Sequence, residues 1–275
     1  MKRHYYYLVA GLQDITLEIH KLILDQLAFK NELRTGVHPD DYKLVEILFL
    51  PFDNSNLLHI LTKNDKPFIE KGNYDKDTLE QNIKEPIELS GYMNRFIMAF
   101  KNKEPLYPDL SPENELTTLF YQYVLQEKND FLREWFRFEL NTRNIMTALI
   151  ARKHNINYED QIIGTDEVSE TIRRSHARDF GLGGELDYLE ALIEMTRLDD
   201  IQEREKAMDA LRWDYLDDVT FFEYFTIEKI LSYTIKLGLV ERWLAIDKDH
   251  GQAMFKKLLE ELQASYSLPD TFTEK

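Results

Sequence analysis

Apolar side chains recur along most of this 275-residue chain at the spacing of an α-helix, and this period limits the folds open to it. Between Thr16 and Leu33 the stripe positions are Leu17, His20, Leu24, Leu27 and Ala28, and a second stripe contains Leu89, Tyr92, Met93, Phe96, Ile97 and Phe100. The chain has only 10 glycines and 8 prolines, fewer than the many turns of a β-sandwich or barrel require. The sequence therefore predicts an all-α fold of long helices, in one domain spanning residues 1–275.

Capping residues and polar segments predict where several helices begin and end. Ser111-Pro112-Glu113 predicts a helix start, because a hydroxyl can accept a free backbone N–H and proline has no N–H to satisfy. That helix should run to about His154, with a break at 128–130 left open. Residues 63–78 are polar and punctuated by proline and glycine, and residues 178–187 are rich in glycine, so both segments are predicted to be loops.

Other breakers predict helix boundaries in the remaining chain. Pro51 should separate two helices, since proline disfavours helical backbone at the residue before it. Thr220 and Glu223 have the spacing of a capping box, and Gly238 is the predicted end of the helix that follows. The only candidate strand is Tyr5–Ala10, which has no clear partner run.

Charge and composition exclude several classes of function. The formal net charge is −16, which argues against a nucleic-acid-binding surface built from clustered lysine and arginine. The absence of cysteine excludes disulfides and thiol nucleophiles, and fits a cytoplasmic protein. No uninterrupted apolar stretch approaches the roughly 18 residues of a membrane span, so no direct span is expected. The C-terminal residues 265–275 are predicted to be a flexible tail.

One segment carries a pattern that can hold a metal ion. Asp199, Asp200 and Glu203 match the acidic pattern by which helical terpenoid synthases bind magnesium and diphosphate. The alternative is a helix start, in which Asp199 and Gln202 form a capping box. No second acidic motif suits a facing helix, and no two of the seven histidines have the i,i+4 spacing of a helical metal pair. The sequence therefore predicts no cofactor, no metal and no catalysis.

Two distant segments repeat one local pattern. Asn56-Leu57 is followed four residues later by Leu61, and Asn144-Ile145 is followed four residues later by Leu149. The two asparagines lie 88 residues apart, which suggests an internal repeat. Near the second asparagine, Glu139 and Arg143 have the spacing of an i,i+4 ion pair.

Three stretches of the chain share features with one known family. The first, YYYLVAGL, contains a Tyr-x-Tyr segment at the N-terminus. The second is a repeated Asp-x-x-Asn-Leu-x-x-x-Leu pattern that ends in a basic residue, and its matching positions are Asp53, Asn56, Leu57, Leu61 and Lys63, and then Asn141, Asn144, Ile145, Leu149, Arg152 and Lys153. The third is a C-terminal helix pattern with Phe222, Ile227, Leu231, Tyr233, Glu241 and Arg242. Together they resemble the C/d family of central-stalk subunits of V/A-type rotary ATPases, as in a divergent bacterial relative.

The resemblance implies a specific role. The central-stalk subunit of that family is a non-catalytic, funnel-like array of repeated helical bundles, which links the central rotor shaft to the membrane proteolipid ring during proton or sodium transport. Such a protein would be cytoplasmic, peripheral to the membrane through its partner subunits, and monomeric outside the complex. The residues that the resemblance and the repeat single out as repeat or interface positions are Asp53, Asn56, Glu139, Asn144, Arg152, Tyr233 and Glu241.

The sequence departs from the family pattern: the chain is somewhat shorter than many members, segments 63–78 and 178–187 have no counterpart, and two motif positions differ. Trp243 stands where the third repeat usually has asparagine, and the basic residue expected near Ile150 is displaced to Arg152. An all-α scaffold or adaptor unrelated to ATPases is therefore the alternative function, and the magnesium-dependent enzyme is a third.

Overall fold

The computed structural model describes residues 3–85 and 89–265, with side chains described as far as Asp247. The described residues form eleven α-helices and one 3₁₀ turn, Glu159–Gln161, and contain no strand. The helices are α1 Tyr6–Ala10, α2 Gln26–Gly36, α3 Pro39–Thr62, α4 Lys76–Lys84, α5 Gly91–Asn102, α6 Pro112–Val124, α7 Asp130–Lys153, α8 Glu167–Arg174, α9 Leu189–Met195, α10 Ile201–Val219 and α11 Ile227–Ser265. The all-α prediction is confirmed, and the predicted tail, apart from Ser265, lies outside the described residues.

Short polar side chains begin most of the helices, as helix-capping chemistry requires. The Ser111 hydroxyl accepts the Asn114 N–H at the start of α6, so the predicted helix start is confirmed. The long helix predicted after it is divided, because α6 ends at Val124 and Asn129 caps α7. The break left open at 128–130 is therefore present.

Two predicted helix boundaries are wrong, and packing explains both. Pro51 lies inside the continuous helix α3, where it removes one N–H but leaves a helix that packs against α2, α6 and α11. Gly238 lies inside α11, which continues past it. A Cβ at this position would overlap the side-chain amide of Gln26. Glycine here permits close approach of α2 and α11; it does not end a helix.

Two further local predictions are corrected. Thr220 ends α10, and α11 begins only at Ile227, so Thr220 and Glu223 do not form a capping box for it. The candidate strand Tyr5–Ala10 is the short helix α1 with its preceding residue.

Two apolar clusters share helix α7 and make up the core. The larger cluster joins α2 to α7 with α10 and α11, and its largest fully buried rings are Phe29, Phe49, Phe96 and Phe138. The smaller cluster joins the C-terminal half of α7 to α8, α9 and α10 around Ile145 and Phe180. Helix α7 therefore holds the two halves of one domain together.

Helix α3 is long and apolar enough, by length and composition alone, to cross a membrane. It also contains Asp53 and Asn56, both buried, and it packs against helices on several sides. The core helix of a globular protein has the same properties.

Candidate functional site

The side chain of Asn56 holds the loop that follows its own helix. Its Nδ2 donates to the Ile69 carbonyl at 2.8 Å, and its Oδ1 accepts the Ile69 N–H at 2.8 Å. One buried amide thus satisfies both backbone groups of a single loop residue, 13 positions along the chain. This fixes the path of the segment between α3 and α4, for which the sequence predicts only a surface loop.

Asn144 of α7 makes the same kind of contact with the loop that follows its own helix. Its Nδ2 donates to the Ile163 carbonyl at 2.8 Å, and its Oδ1 accepts the Ile163 N–H at 3.1 Å. The Nδ2 also donates to Ser169 Oγ at 3.1 Å, and the Asn144 side chain is completely buried. The two asparagines, 88 residues apart, therefore have one structural role.

The segments after the two asparagines also end alike. Asp75 caps α4 by accepting the Thr78 N–H at 2.7 Å, and Asp166 caps α8 by accepting the Ser169 N–H at 3.1 Å. Each unit is thus a 24-residue helix, an asparagine-anchored loop and a short capped helix. The sequence echo corresponds to a repeated helix–loop–helix unit.

The position three residues before each asparagine has diverged. In the first unit Asp53 accepts the backbone N–H groups of Asn73 and Tyr74 at 2.7 and 3.1 Å, and the Asn73 side-chain amide at 2.7 Å. A Cβ on Gly72 would overlap this carboxylate, so glycine is required for the loop to approach it. In the second unit Asn141 instead donates to the Tyr188 hydroxyl at 3.1 Å.

Lys30 of α2 also binds the loop between α3 and α4. Its Nζ donates to the carbonyls of Lys71 and Gly72 at 3.0 and 2.7 Å. Burial raises the pKa of Asp53 to about 6 and lowers the pKa of Lys30 to about 8, while their mutual attraction partly opposes both shifts. The sequence contained no sign of Lys30, because a lysine in a helix is usually exposed.

We expect the contribution of Asp53 to stability to be largest in acid. Its folded pKa, about 6, lies above the usual value of 3.8, so the folded state binds this proton more tightly than the unfolded chain. The contribution is fully present below about pH 4 and is lost as the pH rises through about 6, and a shift of this size corresponds to about 3 kcal/mol. Urea unfolding between pH 4 and 7 should show wild type losing stability relative to Asp53→Asn. A pH-independent difference would contradict this assignment.

Glu241 connects the first loop to α11. Its carboxylate accepts the Gln26 backbone N–H at 3.1 Å and pairs with Lys71 Nζ at 3.0 Å. The Gln26 side chain in turn donates to the Thr234 carbonyl at 3.0 Å. Glu241, predicted as a repeat or interface residue, thus occupies an internal junction of α2, α11 and the loop.

Tyr233 and Arg152 are also engaged within the chain. The half-buried ring of Tyr233 meets Phe29 edge-on, with centroids 5.2 Å apart, and burial raises the pKa of its hydroxyl. Arg152 donates to the Tyr158 hydroxyl at 2.8 Å and to the carbonyls of Ser175 and Ala177, and its guanidinium lies 4.1 Å from the Phe180 ring centroid. Arg152 thereby fixes the start of the glycine-rich loop 178–187.

The predicted ion pair between Glu139 and Arg143 is wrong. Glu139 is bound by Arg212 of α10, whose Nε and Nη2 donate to the two carboxylate oxygens at 2.8 and 3.3 Å. Arg143 donates to Asn114 Oδ1 at 2.9 Å. A two-pronged contact with a guanidinium from another helix is stronger than a single contact within the helix.

Arg212 belongs to a larger network at the meeting point of α7, α10 and α11. Asp209 is fully buried and accepts from Arg212 Nη1 at 2.9 Å, from Trp243 Nε1 at 2.7 Å and from Arg242. Burial disfavours the charged form of Arg212, but attraction to Glu139 and Asp209 outweighs it and leaves the pKa raised. We call Glu139, Asp209, Arg212, Arg242 and Trp243 the charged junction. Trp243, which stands where the repeat pattern of the central-stalk subunits has asparagine, supplies one of its donors.

The acidic segment at the start of α10 has a capping geometry. Asp200 caps the helix by accepting the N–H groups of Gln202 and Glu203 at 2.6 and 3.1 Å, so the predicted capping pair Asp199–Gln202 is off by one residue. The Asp199 side chain is 97% exposed and pairs with Lys153 at 3.3 Å. Within the described chain no group of three His, Asp or Glu side chains could hold a metal ion. Asp200 is thus a helix cap and Asp199 a member of a surface ion pair, as in the capping alternative that the sequence left open.

These observations define a class: an all-α protein whose polar side chains are used to anchor loops and join helices. The chain belongs to the family described as a protein of unknown function (DUF2764), whose model matches residues 1–266. Comparisons with curated proteins and with solved structures gave no match.

Proposed function

We propose that the protein is a non-catalytic coupling subunit of a V/A-type ATPase or ATP synthase. It would link the central rotor shaft to the membrane proteolipid ring. The observation that carries this proposal is the equivalence of Asn56 and Asn144, which anchor the loops of two successive helix–loop–helix units in the same way. These are the asparagines of the repeated pattern by which the sequence resembles the central-stalk family.

The distribution of polar contacts supports a mechanical role. The asparagine loop anchors and the charged junction connect segments that are distant in sequence. A subunit that transmits torque requires such rigid connections between its helices. Helix α11 alone has 39 residues, about 58 Å at 1.5 Å per residue. The proposal includes a funnel-like arrangement of the repeated bundles, with the negatively charged chain attached to basic partner surfaces.

A second candidate is an all-α adaptor with no ATPase link. It is favoured by the fact that Asp53, Asn56, Glu139, Asn144, Arg152 and Glu241 all have partners inside the chain. Motif residues used in this way maintain a fold and leave the identity of the partner open.

Deletion of the gene, followed by assays of inverted membrane vesicles, separates the two candidates. A coupling subunit is required for ion pumping but not for ATP hydrolysis by the catalytic head, so ATP-driven proton or sodium uptake should fall at least tenfold while the detached head continues to hydrolyse ATP. Re-expression of the full chain should restore uptake. Unchanged pumping in the deletion strain would reject the coupling role and leave the adaptor.

A further inference from the structure

Five exposed aromatic side chains belong to two segments that contact each other. Phe221, Phe222 and Tyr224 lie between α10 and α11 and are 65%, 80% and 62% exposed. Tyr6 and Tyr7 of α1 are 58% and 96% exposed. We call these five residues the aromatic surface.

The aromatic surface is held in place by contacts within the fold. The Tyr5 N–H donates to the Phe225 carbonyl at 2.7 Å, and the rings of Tyr6 and Phe225 are 4.7 Å apart. The Phe221 and Phe222 rings meet at right angles with centroids 4.9 Å apart. The turn itself is closed by the Glu223 carboxylate, which accepts the Thr226 hydroxyl at 2.7 Å. The exposed rings are therefore presented by an ordered turn.

Exposed aromatic residues in this number are unusual for a surface that meets only water. Phenylalanine and tyrosine are enriched at the centres of protein interfaces, where they fill pockets on the partner. Scattered single apolar residues need no such explanation, but the paired rings of Phe221 and Phe222, with exposed Tyr224 on the same turn, do.

The charges on the α10 side of the aromatic surface are acidic, and on the α1 side Arg3 is paired with Asp40 and Asp41. Asp214, Asp217 and Asp218 lie on the last turns of α10, and Phe221 follows Asp218 closely enough for its N–H to donate to the Asp218 carbonyl at 3.3 Å. Lys236 pairs with Asp217 at 2.6 Å, whereas Asp214 and Asp218 are exposed and have no ion-pair partner among the side chains that the structure describes. A partner that covers these rings must accommodate this negative charge.

We propose that the aromatic surface docks into an apolar pocket of a different protein, and that lysine or arginine residues surround this pocket. Charge disfavours the two other occupants. In a symmetric dimer the same acidic residues would face one another, and an anionic membrane would repel them. The inference goes beyond the proposed function, because it holds whichever complex the partner belongs to.

Site-specific photo-crosslinking in the native host tests the surface directly. Benzoylphenylalanine replaces Phe222 in the full chain, and in a matched control it replaces Ile156, which is 62% exposed. We expect position 222, but not position 156, to form a crosslink to another protein, at a segment with apolar residues flanked by lysine or arginine. A crosslink only to lipid or to a second copy of this chain, a crosslink to an acidic segment, or no crosslink above the control would overturn the proposal.

Binding measurements with the purified partner, once it is identified, complete the test. The double variant Phe221→Ser/Phe222→Ser should bind at least tenfold more weakly, while Ile156→Ser/Ile201→Ser, at 62% and 68% exposed positions, should bind like wild type. Asp214→Asn/Asp218→Asn should weaken binding and reduce its salt dependence. Equal affinity of the double serine variant overturns the docking surface. A partner outside the rotary ATPase rejects only the proposed function.

Discussion

Replacing Asn144 with leucine should lower the free energy of unfolding by about 3–5 kcal/mol. Leucine has a similar shape but leaves the buried Ile163 N–H and carbonyl unsatisfied, whereas the Ser169 hydroxyl keeps its bond to Asp166. Each buried polar group left unsatisfied costs about 1–3 kcal/mol. Asn56→Leu should cost less, about 2–3 kcal/mol, because its loop partner Ile69 is only partly buried and water can replace the lost bonds.

Urea unfolding followed by circular dichroism measures both effects. Asn31→Leu is the matched control, since Asn31 is exposed on helix α2 and the change should stay within about 0.5 kcal/mol. The double variant Asn56→Leu/Asn144→Leu should fail to fold or to assemble with partners. An Asn144→Leu protein within about 1 kcal/mol of wild type would show that the asparagine anchor is not needed for the second unit.

Replacing Asp209 with asparagine should destabilise the protein by about 3–4 kcal/mol. The carboxylate is fully buried and accepts from two arginines and from Trp243, so its neutralisation removes the one negative charge that Arg212 and Arg242 share, and each arginine keeps a single carboxylate, Glu139 or Glu205. We expect a smaller loss of stability than for an ion pair whose remaining partner is left buried and alone. Arg212 keeps its bond to Glu139, and Arg242 is 41% exposed.

A double-mutant cycle identifies the charged junction as one network. Glu139→Gln and Asp209→Asn act on the shared Arg212, so their combined cost should differ from the sum of the single costs by about 0.5–3 kcal/mol. Asp199→Asn is the control for loss of a surface pair and should cost at most about 1 kcal/mol. Strict additivity in the cycle would show that the two carboxylates act independently.

The sequence predicted the class of fold because helical periodicity reflects burial, and burial holds each long helix in place. Capping rules worked where the helix end is set locally, as at Ser111. They failed at Pro51 and Gly238, where contacts with other helices outweigh the local preference. A single-sequence pattern has no access to those contacts.

The candidate site was partly predictable, because a sequence pattern records local positions but not distant contacts. The 88-residue echo correctly paired Asn56 with Asn144, since both retain one local pattern. Their bonding partners could not be deduced, because the loops differ in length and place the contacted residues 13 and 19 positions along the chain. The partner of Glu139 was missed because Arg212 lies 73 residues away, while Arg143 had the expected spacing.

The bond between Gln26 and Glu241 has a consequence for the order in which the chain can fold. The first turn of α2 receives its acceptor from a residue 215 positions later, and α11 also packs against α3. Contacts so distant in sequence form only after most of the chain has been synthesised, and they slow folding. During synthesis, the face of α2 and α3 that packs against α11 therefore stays uncovered until the last helix has left the ribosome.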